Sequence, residues 1–395
     1  MVPPESAPPN RSDFVGRARA LRPLLREAAD EAERERRLPE RVAIAMAKEG
    51  LYRVAAPRAV LGAEADPETQ ISVIEAIAEG DGSAGWNLMI GIESFSLLGM
   101  AFADRAELFA DPLLVACSAT SATGTAERTD GGYRVTGQWP FVSGCHNSHY
   151  FAGLVSVHES GQPIPGSLPR WALVPRSDFE ILDTWNVSGL RGSGSHDVRL
   201  NDVLVPEERM GQGAWAAGPG ESRAELPPVL RIPLGSRLAY NKTGVGFGIA
   251  RAAIDAFVEL AEGKVPFASS TSLRERPLAH RALARAEARL RGSRALVREL
   301  SEELWDVVSD GRQFSIQQRA IFQLACSDAA LACAEAVDLV AEAAGTSANR
   351  LDCALERHAR DARVIRQHVT VSPAQLEDAG RVLLGLEPQS IMLKL

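Results

Sequence analysis

The glycines of the segment GVGFGIA, Gly244 to Ala250, have a spacing that could in principle cradle a dinucleotide phosphate. Such a site needs a strand before the glycines and an acidic residue about twenty positions after them. This segment lies at the start of a predicted helix, with neither the strand nor the acid. Close helix packing explains the glycines better, so the sequence predicts no nicotinamide-binding site.

Five cysteines could bind a metal or form disulfides, but their spacing favours neither. They form no CxxC pair, and an odd number does not suit a disulfide framework. They are Cys117, Cys145, Cys326, Cys333 and Cys353. We therefore expect reduced thiols, no metal and a cytoplasmic location. The first residues, MVPPESAPPNRSDF, lack the apolar segment of a signal peptide, and no run of about eighteen apolar residues predicts a membrane span.

The charge pattern argues against nucleic acid as a partner. The formal net charge is −8, and opposite charges are interspersed along the chain. A phosphate-binding protein would instead present a basic stripe.

The elements that must position any site follow the order helices, strands, helices. After a loose tail, residues 1–12, helical spacing from Phe14 to about Phe109 predicts four or five helices. From about Leu113 to Val205, β-forming residues and turns predict a β-domain. A Gly/Ala/Pro-rich stretch then leads to helices at about 239–263, 277–309, 315–345, 351–368 and 373–386. We predict an α+β fold of three domains, 1–112, 113–212 and 213–395.

Five segments, in this order, resemble the acyl-CoA dehydrogenase superfamily, and in detail its group D branch of two-component, reduced-flavin-dependent monooxygenases. They are EGDGSAGWNLMIG, DGGYRVTGQWPFVSGC, DTWNVSGLRGSGSHDVRLNDVLVPEER, GIARAAIDAFVELAEGK and LERHARDARVIRQH. The resemblance spans about residues 14–390. It implies an N-terminal α-helical domain, a central β-barrel and a C-terminal four-helix bundle. The flavin is expected between the barrel and the last helices.

The segment WPFVSG is similar to the superfamily strand that passes along the flavin ring, which makes Trp139, Phe141 and Ser143 candidate cofactor contacts. An aromatic pair supplies a flat apolar wall. The Ser143 hydroxyl could hydrogen-bond near the flavin N5, which also makes it a candidate catalytic residue. Alternatively, Trp139 and Phe141 are alternating core residues of a strand.

The segment GLRGSGSHDV is similar to the family's second flavin-lining turn. Its small residues, Gly192, Ser193 and Ser195, would let backbone amides approach the cofactor. An ordinary hairpin turn is the alternative.

His368 is the candidate acid/base. Common acyl-CoA dehydrogenases place a carboxylate base after an RDA motif, in a segment of YEGT type, whereas this chain reads RDARVIRQHVTVSP there. The resemblance to the hydroxylase branch assigns proton exchange with the substrate or with a flavin C4a-hydroperoxide to this imidazole. The alternative is a histidine that interacts with a helix end. The neighbours Arg360 and Asp361 are expected to form a structural ion pair.

Oxygen chemistry at a flavin needs a pocket that excludes water. Trp86, in WNLMIG, together with Phe95 supplies a suitable apolar helix face, which makes both candidate substrate-binding residues, although a plain core face would look the same.

Two further positions bear on the substrate. Phenol hydroxylases of the branch commonly have histidines where this chain has Glu93 and Asn147. Glu93 could meet a cationic or N–H-bearing substrate, or could be a solvated helix residue. His146 and His149 flank Asn147, but in an alternating strand the adjacent His146 would point to the opposite side.

Arg274 and Arg276 lie in a region similar to the superfamily's tetramer contacts, where an arginine often reaches the flavin of a neighbouring subunit. Exposed loop arginines are the simpler alternative. We expect a homotetramer. Because no nicotinamide site is predicted, reduced flavin must come from a separate NAD(P)H-dependent flavin reductase.

The sequence therefore predicts the oxygenase component of a flavin-dependent monooxygenase. It would use FADH2 or FMNH2 and O2 to hydroxylate or N-oxygenate a small aromatic, indolic or amine substrate. An FAD-dependent acyl-CoA dehydrogenase and a catalytically silent flavin-binding scaffold are the alternatives.

Overall fold

A computed structural model of the protein describes residues 10–213 and 226–395, and five α-helices precede its sheet. They are α1 (Arg11–Ala20), α2 (Arg22–Glu35), α3 (Glu40–Lys48), α4 (Pro67–Ala78) and α5 (Gly82–Ala101). The number of helices agrees with the prediction from helical spacing. The predicted loose tail is wrong at its last two residues, because α1 begins at Arg11 with the Asn10 side chain as its cap. The rest of that tail, residues 1–9, lies outside the described residues.

Helix α5 is the central element of this region, because nearly all of its residues are buried. Its N-terminus is capped by Asp81, whose carboxylate accepts a hydrogen bond from the Ala84 amide at 2.7 Å. A side chain at Gly91 could not be accommodated, since a Cβ there would lie 2.2 Å from the Tyr52 ring. The small residues of α5 therefore allow a close approach of its neighbours.

Eight strands of the described residues form one mixed sheet. They are β1 (Ala116–Thr129), β2 (Gly132–Val142), β3 (Tyr150–Glu159), β4 (Gln162–Pro163), β5 (Arg170–Pro175), β6 (Glu180–Leu182), β7 (His196–Val205) and β8 (Met210–Gln212). The order is β6-β7-β2-β1-β3-β5-β8, with β4 paired to β3. Within the described residues, β6 and β8 are the two ends of this order and do not pair with each other. The predicted β-barrel is therefore wrong, because the sheet is open.

The helices after the sheet are α6 (Pro228–Arg231), α7 (Leu234–Gly263), α8 (Pro277–Ser309), α9 (Ile316–Ala344), α10 (Ala354–Ile365), α11 (Pro373–Leu383) and α12 (Ile391–Lys394). The five helices predicted here are confirmed, and the bounds of α8 match the prediction. The short helices α6 and α12 were not predicted. Helix α9 packs against α7 and α8, and α7 also packs against α4, which joins the two helical regions. The predicted Gly/Ala/Pro-rich connection falls largely on residues 214–225, outside the described residues.

None of the helices in the described part of the chain is long and apolar enough to cross a membrane.

Candidate active site

A bulge near the end of β2 separates the two aromatic residues of the WPFVSG segment. Pairing of β2 with β7 changes register between Trp139 and Val142, and Phe141 has a φ of +60°. Such a φ is unusual for a bulky residue and is a form of local strain that concentrates at functional sites. The bulge breaks the alternation that would otherwise place both rings on one face.

The two rings therefore have different surroundings. Trp139 is 0% exposed, donates its indole N–H to Leu154 O at 3.0 Å and packs edge-on against Phe151. Phe141 is 72% exposed, and its ring stands perpendicular to that of Trp185 at a centroid distance of 6.2 Å. The structure thus places Trp139 in the core of the sheet domain, as the alternative interpretation had it, and only Phe141 on a surface open to a ligand.

Three buried serines form a chain of hydroxyl groups that begins with Ser143, two residues after Phe141. Ser143 Oγ lies 2.7 Å from Ser195 Oγ, which in turn lies 2.8 Å from Ser193 Oγ. The indole N–H of Trp86, on α5, donates to Ser143 Oγ at 3.0 Å. The end of β2, the turn before β7 and the central helix therefore meet at one hydroxyl group, Ser143 Oγ.

The turn that carries Ser193 and Ser195 is fixed by contacts with helices on two sides. Asn87 Nδ2 donates to Ser193 O at 3.3 Å, and the Leu190 amide donates to the carboxylate of Asp361, on α10, at 2.6 Å. A Cβ on Gly192 would lie 2.8 Å from Ala32 Cβ. Gly192 is thus required for packing against α2. The sequence-based prediction was instead that its small size lets the backbone approach the cofactor.

Asp361 is a structural residue, but its predicted ion pair with Arg360 is wrong. Arg360 instead pairs with Glu33 at 2.8 Å and Glu356 at 2.7 Å. Burial raises the pKa of Asp361 to about 7. This carboxyl group connects α10 to the turn at Leu190.

His368 follows α10 and joins the same site through Trp86. The imidazole meets the Trp86 ring edge-on at a centroid distance of 5.4 Å. The Thr370 amide, which can only donate, lies 3.4 Å from His368 Nδ1, so Nδ1 is the acceptor and Nε2 carries the proton of the neutral ring. Burial, and then the charge of Lys242, lower the pKa of His368 to about 3. The ring is therefore neutral in the free protein.

Glu93 does not face open space, because it forms a buried ion pair with Lys242 on α7. Lys242 Nζ lies 2.6 Å from each carboxylate oxygen of Glu93. The Glu93 side chain is 7% exposed and the Lys242 side chain is 2% exposed. Burial raises the pKa of Glu93 and lowers that of Lys242, while the attraction between the two charges opposes both shifts. Neither the substrate-facing nor the solvated interpretation of Glu93 describes this position.

Asn147 and Phe95 have distinct environments. Asn147, together with Ile90 and Ser143, lines a small cavity between α5 and the end of β2, and its Nδ2 donates to Leu38 O at 2.8 Å. Phe95 is fully buried, with the guanidinium of Arg53 4.6 Å from its ring centroid. Phe95 therefore lies in the helical core, whereas Asn147 borders the hydroxyl chain.

The residues around Asn147 form a short 3-10 helix, Cys145–Asn147, so the expected strand alternation is wrong there. His146 packs against the ring of His196 at 5.1 Å, and mainly burial lowers its pKa to about 4. His149 Nδ1 accepts a hydrogen bond from the Val115 amide at 3.1 Å. Both histidines serve the local packing.

Arg274 and Arg276 are exposed and lie where the chain enters α8. Within a single subunit, these two arginines do not contact the hydroxyl chain of Ser143, Ser195 and Ser193.

The residues that do meet fit a flavin. Phe141 offers an exposed aromatic ring next to the half-buried Trp185, the Ser143 hydroxyl follows two residues after Phe141, and His368 offers a neutral imidazole. A tricyclic ring needs these features: an apolar wall for its face and polar groups for its nitrogen and oxygen atoms.

Sequence reasoning missed Lys242, Asn87 and Trp185. Lys242 had a usable signal, since it is the one charged residue in the run LAYNKTGVGFGIA, and a buried cation requires a partner. Asn87 and Trp185 act through tertiary contacts. The spacing of residues in a single sequence does not show which distant segments such side chains will meet.

The environment of His368 predicts its titration. Because its pKa is held near 3, the folded protein should keep this ring neutral from pH 8 down to pH 5. The unfolded chain takes up the proton at about pH 6.5, so this residue lowers the free energy of unfolding as the pH falls below that value. Histidine Cε1–H resonances, with His368 assigned by loss of its signal in His368→Gln, should show no titration over this range. A midpoint near the unfolded value would contradict the geometry.

The chain is similar to known proteins over nearly its whole length. Residues 243–373 match the family "Acyl-CoA dehydrogenase, C-terminal domain". The chain is 31% identical to the indole-3-acetate monooxygenase of Pseudomonas putida, over 91% of this chain and 90% of that protein. It is 30% identical to the flavin-dependent monooxygenase, oxygenase subunit HsaA, of Rhodococcus jostii (strain RHA1), over 90% of this chain and 93% of that protein.

Among solved structures, XiaF from Streptomyces sp., in complex with FADH2 and glycerol, superposes with a TM-score of 0.87 at 27% identity, over 96% of this chain and 97% of that one. The likeness therefore extends to both the sequence and the arrangement of helices and sheet. The chain belongs to the flavin-dependent monooxygenase branch of the acyl-CoA dehydrogenase superfamily.

Proposed function

We propose that this chain is the oxygenase component of a two-component monooxygenase that receives FADH2 or FMNH2 from a separate NAD(P)H-dependent reductase. The observation that carries the proposal is the meeting of Ser143 and His368 at Trp86, with the exposed Phe141 two residues before Ser143 along the chain. Reduced flavin supplies the electrons that activate O2. The family membership and the names of the relatives support the same function.

Each residue of the site has a separate role in this proposal. Phe141 packs against the flavin ring, and Ser143 hydrogen-bonds at the flavin N5. His368 presents its Nε2–H to the substrate or the cofactor and holds or releases that proton. Trp86 is a positioning residue, since it contacts both Ser143 and His368. Ser193 and Ser195 support Ser143 from the other side.

A small aromatic or indolic compound is the substrate class that we favour over a cationic amine. The case for an amine rested on Glu93, but Lys242 already neutralises that carboxylate. The small cavity lined by Asn147 and Ile90 also includes Ser143, the first hydroxyl group of the chain. One relative is named as acting on indole-3-acetate, which supports a planar ring as the substrate.

We also propose a cytoplasmic homotetramer whose subunits complete one another's flavin sites. Phe267 is fully exposed and Leu351 is 83% exposed, an exposure that assembly would remove. Arg274 and Arg276 lie near Phe267 along the chain and would reach a neighbouring subunit's cofactor. The domain bounds 1–112, 113–212 and 213–395, and a four-helix bundle in the last domain, remain part of the proposal.

The function is tested by supplying flavin that another protein has reduced. In oxygenated buffer with an indolic or phenolic substrate, we expect oxygenated product together with little hydrogen peroxide. His368→Ala should bind flavin like the unaltered protein yet release more peroxide per product. Release of all the reducing equivalents as peroxide by the unaltered protein, across both substrate types, would contradict the proposal. Direct reduction of bound FAD by an acyl-CoA would instead support the dehydrogenase alternative.

The different surroundings of the two aromatic residues predict opposite mutational effects. Phe141→Ala should weaken reduced-flavin binding about tenfold with little change in stability, because only exposed aromatic contact is lost. Trp139→Phe should lower the free energy of unfolding by about 2 kcal/mol, through lost volume and a lost indole hydrogen bond, with little effect on flavin affinity. Equilibrium unfolding measures the change in the free energy of unfolding, and anaerobic flavin titration measures the change in affinity for reduced flavin. The reverse pattern would show that Trp139 forms the cofactor wall.

A further inference from the structure

The hydrogen bonds of Ser143 leave its hydroxyl group few options. A serine hydroxyl has one proton to donate and two lone pairs that accept. The indole N–H of Trp86 can only donate, so it permanently occupies one lone pair of Ser143 Oγ, at 3.0 Å. The neighbouring Ser195 hydroxyl, at 2.7 Å, can be either donor or acceptor. Ser143 is therefore left with one proton and one lone pair, which it must divide between Ser195 and a ligand.

A flavin presents two different atoms to such a hydroxyl group during its redox cycle. The oxidised ring has a lone pair at N5 and accepts a hydrogen bond. The reduced ring carries a proton at N5 and donates one. A single serine that serves both forms must donate to the first and accept from the second.

We propose that Ser195 and Ser193 form a reversible hydroxyl chain that lets Ser143 change from donor to acceptor as the flavin changes redox state. This inference rests on the proposed function. With oxidised flavin, Ser143 donates to N5 while Ser195 donates to Ser143. With reduced flavin, N5–H donates to Ser143, and the Ser143 proton turns to Ser195, whose own proton turns to Ser193 at 2.8 Å.

The chain is suited to this reversal because its members are buried and close together. Ser143, Ser193 and Ser195 are each no more than 5% exposed, so water cannot readily replace a missing partner. Backbone contacts hold the three residues in place: the Gly144 amide donates to Ser193 O at 3.1 Å, and Asn87 donates to the same carbonyl. Reversal therefore requires only rotation of O–H bonds. Ser195 and Ser193 are positioning residues in this account.

The test compares the affinity of the protein for the two redox forms of one flavin. In Ser195→Ala, reduced flavin leaves the Ser143 proton without an acceptor in a buried site, whereas oxidised flavin still takes that proton. We expect the dissociation constant for reduced flavin to rise about tenfold and that for oxidised flavin to change by less than about twofold. Anaerobic and aerobic ultrafiltration measure the two constants without turnover. Ser195→Thr, which keeps a hydroxyl group, should restore the ratio of the two dissociation constants to that of the unaltered protein.

Ser148→Ala is the matched control, because it removes another buried hydroxyl that donates to Gly144 O at 3.0 Å but is not part of the chain. Its ratio of the two constants should equal that of the unaltered protein. Equal losses for both flavin forms in Ser195→Ala, or no loss in either, would overturn the hydroxyl chain and leave the proposed function standing. If the unaltered protein binds no reduced flavin, the proposed function itself fails.

Discussion

The hydrogen bond from Trp86 to Ser143 is the constraint on which the site depends. It ties the central helix α5 to the end of β2, and the edge of the same indole supports His368. A buried indole N–H without a partner would be costly, so the helix and the sheet have a preferred alignment. Ser143 and His368, from different parts of the fold, thereby contact the same indole ring.

The arrangement of elements could be predicted from the sequence far better than the orientation of side chains. Helical spacing gave the bounds of α8, and the change from helical spacing to β-forming residues and back gave the order of helices and strands. Alternation in a strand would put Trp139 and Phe141 on one face, yet a bulge and a φ of +60° at Phe141 separate them. The open sheet was also missed, because strand patterns show which segments pair but not whether the last strand meets the first.

The polar residues show a second limit of sequence reasoning. Glu93 was identified as unusual for its position, but its meaning depends on Lys242, which lies 149 positions later in the chain. Their pairing neutralises two buried charges, and His368 stays uncharged first because it is buried and second because of the charge of Lys242. The interior around the site thus contains polar groups without net charge. Such an environment suits oxygen chemistry, which must proceed away from bulk water.

We propose above all that Ser143, held by Trp86, is the group that meets the flavin N5. A crystal structure of the protein with reduced flavin, grown without oxygen, tests this most directly. The account predicts the flavin ring against Phe141, with N5 about 3 Å from Ser143 Oγ and the Trp86 hydrogen bond retained. A ring seated elsewhere, or a Ser143 hydroxyl turned away from it, would contradict the account.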